Sequence, residues 1–109
     1  LGAGGADIVI GDRFGQSADP AFVGQVESAF RARGFRTARN APYAGGHTID
    51  SHGRPDHGIH AIQIEICRQR YMDPETLAPH AGFAAVAAAL AAVACALATG
   101  APLFGLAAE

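Results

Sequence analysis

The sequence predicts an α/β fold built on a partial mixed or parallel sheet with flanking helices, and three observations carry that expectation. A β-branched run at Ala6 to Ile10 is followed by a helical pattern from Pro20 to Arg33 and an extended stretch from Phe35 to Arg39. Residues Ile59 to Ile66 alternate as a strand does, with His60, Ile62, Ile64 and Ile66 on one face and Ala61, Gln63 and Glu65 on the other. An uncharged, Ala-rich segment then carries Phe83, Val86, Leu90, Val93 and Leu97 along one helical stripe.

Each element has local signals. Gly-rich flanks bound the Ala-Asp-Ile-Val-Ile run, which reads as a buried strand, and Gly11 to Gly15 forms its loop. Ser17 or Asp19 can cap the following helix, Pro20 suits its first turn, and Phe22, Val23, Val26 and Phe30 recur at helical spacing. Gly34 followed by the apolar Phe35 predicts a Schellman stop. If the two strands share a sheet, the unit is a right-handed crossover that puts Gly11 to Ala18 at a strand's carboxyl end, where ligand sites collect. From Asn40 to Gly58 the chain is turn-rich and too long for a plain connector, which suggests an ordered functional loop. Asp73 or Pro74 is expected to open a second helix, near Glu75 to Ala98, with Gly100 and Pro102 ending it.

With 109 residues, 50% hydrophobic and 17% charged, the chain suits one core and lacks the composition of a disordered segment. All eight basic residues are Arg, ten acids leave a net charge of -2, and no basic run is present, so nucleic-acid binding is not expected. Cys67 and Cys95 lie in apolar stretches without CxxC spacing and read as small buried hydrophobes in a reducing compartment. Nothing before residue 20 resembles a signal peptide. Ala81 to Ala98 is near the minimum length of a membrane span, but its large residues keep to a single stripe, so a buried amphipathic helix and no membrane association are expected. Leu1 in place of Met suggests a chain that begins partway through a larger protein. Residues 1–109 are then one partial domain whose halved core exposes apolar surface, and self-association of the isolated fragment follows.

Among the candidate sites, Gly2-Ala-Gly-Gly precedes a strand and so does not fit a dinucleotide loop, which must follow one. Gly11 to Gly15 has the better context: either the next helix's amides hold an anion beside Arg13, or this is an ordinary strand-to-helix turn. His47, His52, His57 and His60, with Asp50 and Asp56 between them, are of the types that bind zinc, yet no pair has the spacing of HExxH. Solvated loop histidines are the competing reading. Glu65, with Gln63 on its face, is the sharpest candidate, because a carboxylate among isoleucines on an expected central strand is costly unless paired, bonded or used. Partial burial suits a general acid/base; the alternative pairs Glu65 with Arg68, Arg70 or a loop Arg. Arg68 and Tyr71 follow closely enough to line the same pocket.

Taken together, Gly11-Asp-Arg-Phe-Gly, Asn40-Ala-Pro-Tyr-Ala-Gly-Gly-His, His52-Gly-Arg-Pro and His60-Ala-Ile-Gln-Ile-Glu-Ile-Cys-Arg-Gln-Arg-Tyr-Met-Asp resemble the carboxyl-terminal half of N-formylglutamate amidohydrolases, over roughly Ile8 to Leu77. The resemblance implies a fragment of a zinc-carboxypeptidase-like domain. It also implies zinc-dependent hydrolysis of N-formyl-L-glutamate to L-glutamate and formate in histidine degradation, in the cytoplasm. Carried over by position, Glu65 matches the carboxylate that activates the zinc-bound water, and Asn40, Tyr43, Gly46 and Arg68 match positions around the substrate. A small anionic amide substrate needs cationic partners, for which Arg13, Arg54 and Arg68 are the candidates. The family's zinc ligands are expected in a His-rich segment and an Asp-x-His-Ser segment upstream of Leu1, so no metal ligand is assigned within this chain, His47 included. The competing function is a non-catalytic α/β module that binds a small carboxylate or a partner chain.

Overall fold

A computed structural model describes residues 5–99; Gly2 to Gly4 and the expected helix stop at Gly100 and Pro102 lie outside them. Among the described residues three strands, β1 (Ile8–Gly11), β2 (Thr37–Arg39) and β3 (Gln63–Ile66), form a mixed sheet in the order β2-β1-β3. β1 is central. It runs parallel to β2, with Val9 opposite Ala38, and antiparallel to β3, with Val9 opposite Glu65 and Gly11 opposite Gln63. The predicted α/β class holds, but the strand carrying Glu65 lies at the sheet's edge rather than its centre, so Glu65 is half-buried.

The crossover helix α1 (Pro20–Ala32) starts at Asp19, whose carboxylate accepts the Ala21 N–H at 3.0 Å, with Pro20 in the first turn. Ser17 does other work: it is buried and donates its hydroxyl to the Ala61 carbonyl at 2.7 Å. The helix ends as a Schellman motif. Phe35 N–H bonds back to Phe30 O, Gly34 N–H to Arg31 O, and Gly34 takes the left-handed conformation at φ 89°. Ile8 and Ile10 of β1 pack with Val23, Val26 and Phe30 of α1 into one core, and Ile62, Ile64 and Ile66 close against it. Truncating such a residue, as in Ile10→Ala, should cost about 2–5 kcal/mol. By strand alternation, Val9, Gln63 and Glu65 share the opposite face.

Three expected boundaries move. Within the turn-rich stretch from Asn40 to Gly58 a short helix, α2 (His47–His52), forms, followed by a single tight turn at Pro55–His57. Ile59 to Ile62 precede β3 instead of belonging to it: Ile59 bridges to Arg54, and His60 accepts the Asp19 N–H and stacks on Phe22 at 4.7 Å. The last helix, α3 (Gly82–Thr99), begins well after Glu75. Asp73 does accept the N–H groups of Glu75 and Thr76, but Leu77 then turns left-handed at φ 61° and Met72 bridges to Pro79, so one turn forms and stops.

On α3 the predicted stripe is buried at Val86 and Val93, which join the core with Ala89 beside them, and partly buried at Leu90, while Phe83 and Leu97 at its ends are exposed. Cys67 is buried as expected; Cys95 is exposed, because it lies on the far side of α3 from Val93. Among the described residues no helix is long and apolar enough to cross a membrane.

Candidate active site

The sheet face away from the core carries the polar pair. Gln63 and Glu65 are two residues apart on β3, so their side chains emerge together, and Gln63 Nε2 donates to Glu65 Oε2 at 2.7 Å. Glu65 has no ion pair within 4.0 Å among the described residues. The alternative pairing with Arg70 is not formed, since that guanidinium faces Asp7 at 3.9 Å and lies over the Phe35 ring at 4.6 Å.

Beyond Glu65 opens a groove of about 460 Å³ whose lining includes Tyr43, Arg68 and Tyr71. Three of the expected site residues, Glu65, Tyr43 and Arg68, thus meet on one surface, with Tyr71 beside them as its sequence position suggested. Cys67 also lines it, a placement readable from the same alternation that pairs Gln63 with Glu65. Arg68 sits in a single helical turn, Arg68–Arg70, directly after β3. That turn is fixed from outside the groove, where the buried Asp7 takes Arg36 N–H at 2.8 Å and the Arg36 guanidinium at 3.1 Å, with Arg70 close by. Burial pushes the Asp7 carboxyl up, but the hydrogen bonds from Arg36 and the charge of Arg70 outweigh it and hold the group below its ordinary value.

The remaining candidates build the groove's neighbourhood. The Ala44 to Gly46 turn lies against the end of β1, and only a glycine permits it: a Cβ on Gly11 would stand 2.6 Å from the Ala44 carbonyl carbon. The turn is tied down by Arg13, whose N–H donates to Ala44 O at 2.9 Å and whose guanidinium reaches Gly45 O at 3.3 Å and Asp50 at 3.6 Å. Gly46 then lies over Gln63, with the site of its missing Cβ 3.9 Å from Gln63 Oε1. Asn40 exchanges hydrogen bonds with Asp12 at 2.7 and 3.0 Å, which sets the start of the Arg13 loop. Arg54 is turned to the Gly53 and Asp50 carbonyls and does not line the groove.

The histidines are dispersed: His60 is stacked on Phe22, His47 bonds Ser51 at 3.0 Å, and His57 lies near Asp56. Among the described residues no three His, Cys, Asp or Glu side chains converge as a metal site. The zinc that the family resemblance implies therefore finds no donor set among these residues.

Comparison with known proteins agrees with the α/β fold and gives the family. The family model described as N-formylglutamate amidohydrolase matches residues 2–72. An N-formylglutamate deformylase of Pseudomonas aeruginosa is 35% identical over 88 residues, which are 80% of this chain and 32% of the relative. The crystal structure of an N-formylglutamate amidohydrolase from Ralstonia eutropha JMP134 superposes with a TM-score of 0.73 at 41% identity, covering 78% of this chain and 30% of that one. The chain spans about a third of the length of the relatives it matches. Since the family match takes in the β1 loop, the Ala44 to Gly46 turn, β3 and Arg68, the chain belongs to the N-formylglutamate amidohydrolase family.

Proposed function

We propose that this chain supplies the carboxyl-terminal part of a cytoplasmic, zinc-dependent active site that hydrolyses N-formyl-L-glutamate to L-glutamate and formate, a step of histidine degradation. The observation that carries the proposal is Glu65, half-buried and free of any ion pair among the described residues, opening on the same groove as Tyr43 and Arg68. Family membership supports the substrate class, since both relatives are named for N-formylglutamate.

Glu65 is the proton carrier in this reading. A carboxylate accepts the proton that an attacking water gives up as it adds to the formyl carbon, then delivers it to the departing amine, so that formate and the free amino acid leave. The substrate is a small anion. Arg68, at the groove, is the first candidate to hold one of its carboxylates; Arg13, in the β1 loop against Gly45, and Arg54, bonded to Gly53 O, are the others. Zinc is proposed on the family likeness, with its ligands supplied from outside the described residues.

Formate release by the full-length Glu65→Gln protein tests the proposal. Loss of turnover in a folded variant supports it; retained turnover would remove Glu65 from the chemistry, and a parent protein that binds the substrate but releases no formate would favour a carboxylate-binding module without catalysis. The isolated chain is proposed to self-associate through the exposed ends of the α3 stripe, Phe83 and Leu97.

A further inference from the structure

We propose that Gln63 is the positioning residue for Glu65, tying down one carboxylate oxygen so that the other is presented to the groove; this rests on the reading of Glu65 as proton carrier. An ionised carboxylate can only accept hydrogen bonds, so the end of the Gln63 amide that faces Glu65 Oε2 at 2.7 Å is the nitrogen. The opposite end, Oε1, lies under Gly46, 3.9 Å from where a side chain would begin. Gln63 is also opposite Gly11, against which the Ala44 to Gly46 turn is packed. The amide is therefore enclosed between the sheet and that turn, and its nitrogen is aimed along β3 at Glu65.

The bond removes rotamer freedom from a side chain that has no ion pair among the described residues, which holds the Glu65 carboxylate in one orientation beside the groove. A purely structural Gln63 would brace the Gly46 turn without influencing turnover.

The test uses the full-length protein with N-formyl-L-glutamate and three variants, Gln63→Leu, Gln63→Glu and Glu65→Gln. Gln63→Leu removes the donor, and kcat should fall about 10-fold while KM stays within about twofold. Gln63→Glu replaces the donor with a like charge, and kcat should fall at least as far, again with KM within about twofold. Gln63→Glu keeps the side chain's size, so it decides the matter should the leucine variant fold poorly. If kcat remains within about twofold in Gln63→Glu while Glu65→Gln is inactive, the positioning role is wrong and the reading of Glu65 stands. Near-normal turnover in Glu65→Gln overturns both.

Discussion

Asp12 and Asn40 hold each other by two hydrogen bonds: Asp12 N–H donates to Asn40 Oδ1 at 3.0 Å, and Asn40 Nδ2 donates to Asp12 Oδ1 at 2.7 Å. This clasp joins the carboxyl ends of parallel β1 and β2, where the chain turns toward the groove. It also sustains a cluster of left-handed non-glycine residues, Arg13 at φ 55°, Phe14 at 58° and Asn40 itself at 61°.

Breaking the clasp should cost stability and also loosen the Arg13 loop. Asn40→Ala loses both bonds and keeps the unfavourable backbone, so urea unfolding should show a loss of about 1–3 kcal/mol. Asn40→Gly relieves the backbone alone and should recover about 1 kcal/mol of that. Equal stability of the alanine variant and the parent would show that the two bonds contribute nothing net.

Asp7 should make stability depend on pH in the acid range. Its carboxyl is held below its ordinary value of 3.8 by Arg36 and Arg70 against the opposing effect of burial. A group lowered by folding contributes stability that is fully present above the unfolded value and is lost as pH falls through the folded one. Melting curves should therefore show a stability decline below about pH 4 that is shallower in Asp7→Ala, which is also less stable at neutral pH by about 1–3 kcal/mol. Parallel pH profiles for parent and variant would exclude Asp7 as the source.

Self-association of the isolated chain should run through α3. Phe83 is 48% and Leu97 41% exposed at the two ends of a stripe whose middle is buried. Sedimentation velocity is expected to show concentration-dependent association that Phe83→Glu weakens without lowering helix content. A monomer at all concentrations, or association indifferent to Phe83→Glu, contradicts this.

How much of this was legible in the sequence depended on how far each signal reaches. The face shared by Gln63 and Glu65 was readable because a strand's period of two fixes it without tertiary knowledge, and the same rule placed Ile62, Ile64 and Ile66 toward the core. The strand's position in the sheet was not readable, since isoleucines suit an edge strand covered on one face as well as a central one. Asp73 was misread because a side chain that accepts two successive N–H groups starts a helix and an isolated turn alike; Leu77 and Pro79 decided the outcome. α2 was missed because six residues after a glycine-rich turn carry too little periodicity. Cys95 could have been placed correctly, because two residues from Val93 is about 200° around a helix. Arg68 at the groove needed only its closeness to β3, whereas the outward turn of Arg54 depends on the Arg54–Ile59 bridge, which no local pattern announces.

The most direct measurement is turnover of N-formyl-L-glutamate by the full-length Glu65→Gln protein, made alongside its melting curve and zinc content. Glutamine keeps the size of the side chain but removes its basicity, so kcat should fall by about 10²–10⁴-fold with fold and metal content nearly unchanged. A stable, zinc-loaded variant with near-normal turnover would contradict the account and remove Glu65 from the chemistry.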